Sequence, residues 1–386
     1  MPPGRIGLTV SGEGSSMKRT LNWLLFAVPL LLVLAVSAAA TSTPTRKLKH
    51  ASGPIVALAM DGPRVVYSTT GNAVYVWNIR SSVTSRAKVA SRSSYPLIGQ
   101  VAIAGERVAW ISRTVAGNSE ETNEALYTAS SSGRGLKKLA RAYRVHEFGQ
   151  DDVQRWDGDW IGGLAGSGKL LVVSRWTTKP TPGGPTFETI VSGNLSLISP
   201  GGGRLHPLVA GVQSVVSSSV DAGRVAVLRQ DGSVGIYSGA GALQRQITPS
   251  SAQEIAMGGG RLVVLTQTRT LEVYDPVTGQ LVHSWSVKTN PARLQLGHLQ
   301  VYGRLAVLAV GVGFSAHGLR IFDLKTGKSI ALPWRYRSAW NDATVGSLGL
   351  VHAVNSYKAY GGHHPSGTLV FLSTGRVLAA IARGHL

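Results

Sequence analysis

Cysteine is missing from this chain altogether, which excludes disulfide staples, thiolate metal sites and an acyl-cysteine lipid anchor. Carboxylates are scarce as well: 19 Asp and Glu stand against 39 Lys and Arg, a formal charge of +20 over 386 residues. Such an imbalance draws a protein toward anionic polymers or anionic surfaces, although its plainest meaning is a basic solvated exterior. The cations are scattered, with no long basic tract and no basic-aromatic RNA motif, so no nucleic-acid partner is expected. Charged residues make up only 15% and hydrophobic ones 43%, with 47 Gly. That composition excludes a disordered chain and describes one that buries a large core and turns often.

Long apolar runs are rare too, and the one that stands out lies near the N-terminus. From Met17, a second candidate start, Lys18 and Arg19 precede an uncharged stretch from Leu21 to Ala40 that ends in Ala38, Ala39 and Ala40. This is the layout of a secretory signal peptide with an Ala-x-Ala cleavage site. Its 20 residues are also long enough to remain as a membrane anchor, with the two cations holding the N-terminus in the cytoplasm. Residues 1–40 are therefore read as a signal peptide or signal-anchor helix and 41–53 as a linker. In both readings residues 54–386 lie outside the cytoplasm, secreted or anchored by residues 21–40, and touch the membrane only through that segment.

Beyond residue 54 one phrase recurs: an apolar strand, a Gly turn with a basic residue, a second apolar strand, then a third. The residue after the turn is Arg64, Arg107, Lys169, Arg224, Arg261, Arg304 and, in a worn copy, Leu350. The third strands read AVYVWNI, ALYTAS, NLSLIS, SVGIYS, TLEVYD, GLRIFD and TLVFLS, with the apolar-polar alternation of strands having two unlike faces. Turns such as DPVTGQ, DLKTGK and STGRV follow, each leading to an outer strand. Residues 54–383 give about 47 per unit, the size of a four-stranded blade. The fold class expected is all-β: one domain, a seven-bladed β-propeller of four-stranded antiparallel blades, with six or eight blades as the alternatives.

The segments VYVWNI, EVYDPVTGQ and RIFDLKTGK resemble the third strand and turn of the seven-bladed propellers of the WD-repeat and quinoprotein-like (PQQ-like) type. The resemblance covers nearly all of the chain after residue 54 and implies the fold only. Trp285 and Trp334 come later than the quinoprotein Trp that follows the Thr-Gly turn, so no quinone cofactor is carried over, and no cofactor or metal is expected.

Candidate site residues come from the insertions. Long segments from Thr114, Trp176, Gly311 and Ser356 fall between second and third strands, on one rim. Eight carboxylates, Glu120, Glu121, Glu124, Glu147, Asp151, Asp152, Asp157 and Asp159, are read as a negative patch on that rim suited to a cation, an amine or a basic partner, with Glu147, Asp151, Asp152, Asp157 and Asp159 as its candidate binding residues. The plainer reading pairs them with neighbouring Arg and Lys. Their order does not fit an EF-hand. Tyr360, His363 and His364 in the last insertion are a second candidate group, against the reading of a plain exposed loop. The stretch GGLAGSGKL from Gly162 nearly matches a P-loop, but Leu170 replaces the Mg²⁺-binding hydroxyl and a strand follows, so a hairpin turn is expected. No nucleophile elbow is present.

These features point to an extracytoplasmic, non-enzymatic binding or scaffold propeller. It would act through its long-loop rim on an unknown protein or an envelope polymer. The alternative is a propeller-type lyase, lactonase or hydrolase with its site at the central channel.

Overall fold

The computed structural model describes residues 46–87, 96–115, 121–148, 154–180, 188–209, 215–288, 295–312, 315–333, 343–356 and 366–385. Among them are 28 strands and one helix. Strand β1 (Arg46–Ala51) comes first. One antiparallel sheet then holds β2 (Ile55–Asp61), β3 (Arg64–Thr69), β4 (Val74–Asn78) and β5 (Thr84–Ala87) in chain order. An eight-stranded sheet follows, made of β6 (Pro96–Ala104), β7 (Arg107–Val115), β8 (Glu121–Ser130), β9 (Lys137–Phe148), β10 (Gln154–Ser167), β11 (Leu170–Pro180), β12 (Glu188–Ile198) and β13 (Leu205–Val209). Two further four-stranded sheets hold β14 (Val215–Asp221), β15 (Arg224–Arg229), β16 (Val234–Ser238) and β17 (Leu243–Ile247), then β18 (Ala252–Gly258), β19 (Arg261–Thr266), β20 (Thr270–Tyr274) and β21 (Leu281–Ser286). Another holds β22 (Gln295–Tyr302), β23 (Leu305–Val312), β24 (Ser315–Asp323) and β25 (Ser329–Pro333). The last sheet has the order β1, β28 (Ser366–Ser373), β27 (Gly349–Ser356), β26 (Ala343–Gly346), and helix α1 (Thr374–Arg383) follows it.

The chain is thus all-β with four-stranded antiparallel sheets as its unit, in keeping with the repeat. The first strands β2, β6, β10, β14, β18, β22 and β26 each contact the next, and β26 contacts β2, so they form a closed ring. Apolar clusters fill the spaces between successive four-strand groups. In one, Val66, Val74 and Val76 meet Ile103, Val108 and Trp110. Burial of side chains of this size stabilises the fold by roughly 1.5–3 kcal/mol each.

Third strands differ from the expectation of two unlike faces. VGIYS and TLEVY are buried at nearly every position, because each face meets a neighbouring sheet. The polar members are accommodated by hydrogen bonds: buried Glu272 accepts from Ser250 Oγ at 2.5 Å and from Tyr274 Oη at 2.8 Å. Burial, reinforced by Glu272, raises the Tyr274 pKa.

Two further readings are corrected at the chain ends. Residues 46–51, read as linker, form β1 and pair with β28 from Arg46↔Leu372 to Ala51↔Gly367. The segment after Ser373, read as an outer strand, is helix α1. Ser373 Oγ accepts from the Arg376 N–H at 3.4 Å, and Gly384 ends the helix at φ 83°. Val377, Ala380 and Ile381, spaced for one helical face, pack on Leu305, Ile321 and Leu372. The outer-strand place was already occupied by β1. The expected signal or anchor helix at 1–40 lies outside the described residues; among those described, no helix is long and apolar enough to cross a membrane.

The turns between first and second strands and between third and fourth strands lie on one face. Within each group they are joined by a recurring backbone bond: Ile79 N–H to Pro63 O, Ser131 N–H to Glu106 O, Gly239 N–H to Gly223 O, and Leu324 N–H to Arg304 O. Between groups, Asp61 accepts from Gly105 N at 2.6 Å and Gly168 N at 3.2 Å, and Asp221 accepts from Gly260 N at 2.9 Å. We call this the turn face.

Candidate functional site

The ring of first strands encloses a cavity of about 330 Å³. Its wall is mostly backbone and small side chains. Polar groups enter from Gln100, Ser217, Ser219, Glu254, His298 and Gln300, and Trp176 borders it.

These polar groups are positioned by irregularities in the first strands. The register shifts between Ile161 and Gly163 in β10 and between Gly297 and Gln300 in β22. A β-bulge leaves backbone groups without ladder partners, which must be satisfied otherwise. Here the preceding first strand reaches across. Gln100 donates through Nε2 to Gly162 O at 2.8 Å and accepts from the Leu164 N–H at 3.2 Å. Glu254 accepts from the Leu299 N–H at 2.9 Å and from the His298 N–H, and His298 itself sits at φ 51°. For the irregularity between Ile55 and Ala57 in β2 the partner is Asn355 of the second strand β27, accepting from Ile55 N at 2.8 Å and donating to Ile55 O at 2.9 Å.

Glu254 is half-buried on the cavity wall, and desolvation pushes its pKa up to about 7 despite the two N–H bonds that favour the carboxylate. Sequence reasoning passed over it. The signal was present as a single acid in AQEIAMG, a first strand that ends in four apolar or Gly residues.

Above the junction of β9 and β10, Trp176 lies against Gly162, whose missing side chain makes room for the indole: a Cβ there would stand 1.7 Å from Trp176 Cζ3. Trp176 stacks on Trp160 at 6.2 Å, and Trp160 Nε1 donates to Thr178 Oγ1 at 3.0 Å. The Arg144 guanidinium covers the other indole at 2.9 Å. Behind them Glu124, with only 1% of its side chain exposed, is held by Arg113 at 2.7 Å, Arg144 at 3.6 Å and the Ile161 N–H at 2.8 Å.

Of the sequence-derived candidates, Glu147, Asp157 and Asp159 fall on the adjacent strands β9 and β10. Glu147 stands opposite Arg155 in the register. Asp157 is half-buried; Asp159 is exposed and accepts from Thr177 Oγ1 at 2.7 Å. Asp151, Asp152, Tyr360, His363 and His364 lie outside the described residues. Among the described residues no group of three or more His, Asp or Glu is placed to hold a metal ion.

The insertions also take a form that sequence alone did not give. Thr114 and Val115, Glu121 to Glu124, Trp176 to Pro180 and Glu188 to Gly193 extend strands β7, β8, β11 and β12 rather than looping. The stretch from Gly162 ends β10 and turns at Gly168 (φ 62°) directly into β11, the hairpin expected.

No protein-family model matches the chain, and no curated protein does. Among solved structures it is similar to the crystal structure of the computationally designed Ika8 protein, with a TM-score of 0.42 and 14% identity over 84% of this chain and 98% of that one.

Proposed function

We propose that the protein is an extracytoplasmic seven-bladed β-propeller that binds a partner, without catalysis, in the cavity enclosed by the first strands. In this reading the eight-stranded sheet is two blades fused where β9 pairs with β10, and β1 completes the last blade. The observation that carries it is the closed ring of first strands around a polar cavity. Concave sites with a few fixed polar groups are the usual seat of ligands. Gln100 and Glu254 support binding over chemistry, since both are engaged in holding neighbouring strands. The partner fits an envelope polymer or protein that offers hydroxyl and amide groups to Gln, Ser and Trp side chains.

The test is a screen of envelope glycans and envelope-protein extracts against the full chain in detergent, read as stabilisation on thermal melting. A stabilising ligand whose effect is lost in Gln300→Ala and Trp176→Ala supports the reading; a ligand whose effect survives both refutes the site.

One observation favours the alternative of an enzyme at the channel. A cavity carboxyl with its pKa near 7, such as Glu254, is matched to general acid-base work. Hydrolysis or elimination of a lactone or uronic-acid substrate, abolished by Glu254→Gln, would establish it.

A further inference from the structure

The turn face carries a concentric arrangement of cations. Arg64, Arg107, Lys169, Arg224, Arg261 and Arg304 occupy the same place in six successive repeats, at the start of the second strand beside its turn. The outer turns add Arg80, Arg134, Arg204, Lys325 and Lys328, and the first turn of α1 adds Arg376, all exposed.

The acids of this face are engaged. Asp61 and Asp221 accept backbone N–H groups of neighbouring turns. Asp275 accepts from the Val277 and Thr278 N–H groups. Glu106 pairs with Arg64, and Asp323 grips Arg304 through two bonds of 3.0 and 2.6 Å. Among the described residues these are the two ion pairs on the face. Twelve cations, two of them near Asp275, thus stand against five carboxylates, and the broad surface of short turns carries a net positive charge.

The chain itself indicates what meets that surface. Arg46 pairs with Leu372, one residue before β28 ends on the turn face, and Lys47 Nζ donates to Arg80 O and Ser82 Oγ in an outer turn, both at 2.9 Å. The described chain thus begins at the turn face. Six peptide units separate Ala40 from Arg46, a reach of about 20 Å when fully extended.

We propose that the turn face docks on an anionic phospholipid surface, the membrane in which residues 21–40 are retained. This rests on reading that run as an uncleaved anchor. The tether brings the face within range of lipid head groups, whose attraction for Lys and Arg falls off over a Debye length of about 8 Å at physiological salt. The opposite face, onto which strands β7, β8, β11 and β12 extend, is then presented away from the bilayer.

The absence of cysteine makes a clean test possible. Ala240 lies in the β16–β17 turn and Gln230 in the β15–β16 turn, both exposed, at opposite ends of strand β16. Full-length Ala240→Cys and Gln230→Cys carry a fluorophore and are reconstituted into vesicles containing head-group quenchers. One set is phosphatidylcholine with about one third phosphatidylglycerol, the other phosphatidylcholine alone.

The expected result is quenching of the label at position 240, not at 230, in the anionic vesicles only. Lys169→Glu with Lys325→Glu weakens the docking read by that quenching at least roughly 25-fold, from about fivefold for each of the two cations lost. Equal quenching at both positions, quenching independent of lipid charge, or a label at 240 that stays in water overturns the docking and leaves the anchor intact. Recovery of the protein outside the vesicles overturns the anchor reading and the docking with it. Retention of the label at 240 by a soluble polyanion, with no vesicle quenching, overturns the lipid as partner.

Discussion

Replacing Glu254 by Gln changes how stability depends on pH, and the size of the change follows from the cavity wall. A carboxyl whose pKa is raised by the fold, here from 4.5 to about 7, is protonated in the folded state at pH values where the unfolded chain has already lost the proton. Its contribution is fully present below pH 4.5 and is lost as the pH rises through about 7. The shift corresponds to at most roughly 3 kcal/mol, since the cavity admits water that softens the penalty. His352 acts in the opposite sense. Burial lowers its pKa from 6.5 to about 4, so its contribution is present above pH 6.5 and lost as the pH falls through about 4. Between pH 4.5 and 6.5 the two nearly cancel in the native protein. Glu254→Gln keeps an acceptor for the Leu299 N–H but turns an amide toward the His298 N–H, a cost of about 1 kcal/mol. The variant is therefore more stable than the native protein by about 2 kcal/mol near pH 8 and less stable by about 1 kcal/mol near pH 4.5. Urea unfolding at constant ionic strength, followed by tryptophan fluorescence across that range, measures the difference. A difference that stays constant with pH would refute the desolvation of Glu254.

Other perturbations probe the supports of the ring and its cavity. Asn355→Ala removes both hydrogen bonds to Ile55 that join the last sheet to the first, and should cost roughly 1–3 kcal/mol in the urea midpoint. Glu124→Ala leaves buried Arg144 without its carboxylate and should cost about 3–5 kcal/mol by the same assay. Glu124→Gln, which still accepts from the Ile161 N–H, should cost less. Gly162→Ala forces Trp176 off its site, seen as a shift in tryptophan emission and in acrylamide quenching at unchanged circular dichroism. An unshifted spectrum would contradict that packing.

Much of the strand framework was legible because packing between sheets imposes one demand on every repeat. A first turn must be tight, which selects Gly, and the second strand must be apolar on both faces, as in RVVYST, RVAVLR and RLVVLT. Those seven markers fall within one residue of the start of β3, β7, β11, β15, β19, β23 and β27. Elements fixed by distant partners were not legible. RKLKHA alternates like a strand, but nothing local announces that its partner is Thr368 rather than solvent. The pairing of β9 with β10 depends on two strands of 12 and 14 residues that outgrow their own hairpins. The depth of one member of the acid cluster was not legible either. Glu124, counted among surface carboxylates, is buried by arginines that follow it in β9 and precede it in β7. Glu254 carried a visible signal, a charge in an apolar strand, which gains meaning only when the strand is known to face a cavity.

The pairing of β1 with β28 makes the two ends of the folded chain a single clasp. His50 Nδ1 and Thr368 Oγ1, 318 positions apart in sequence, meet at 3.0 Å. During synthesis the leading strand waits with an open edge until nearly the whole chain has emerged, so closure is among the last folding events and the slowest to be rewarded. Until then every sheet can form locally, while the ring remains an open arc. A lesion at either end, whether a cut beyond Arg46 or a truncation before Ser373, is thus felt at the same seam.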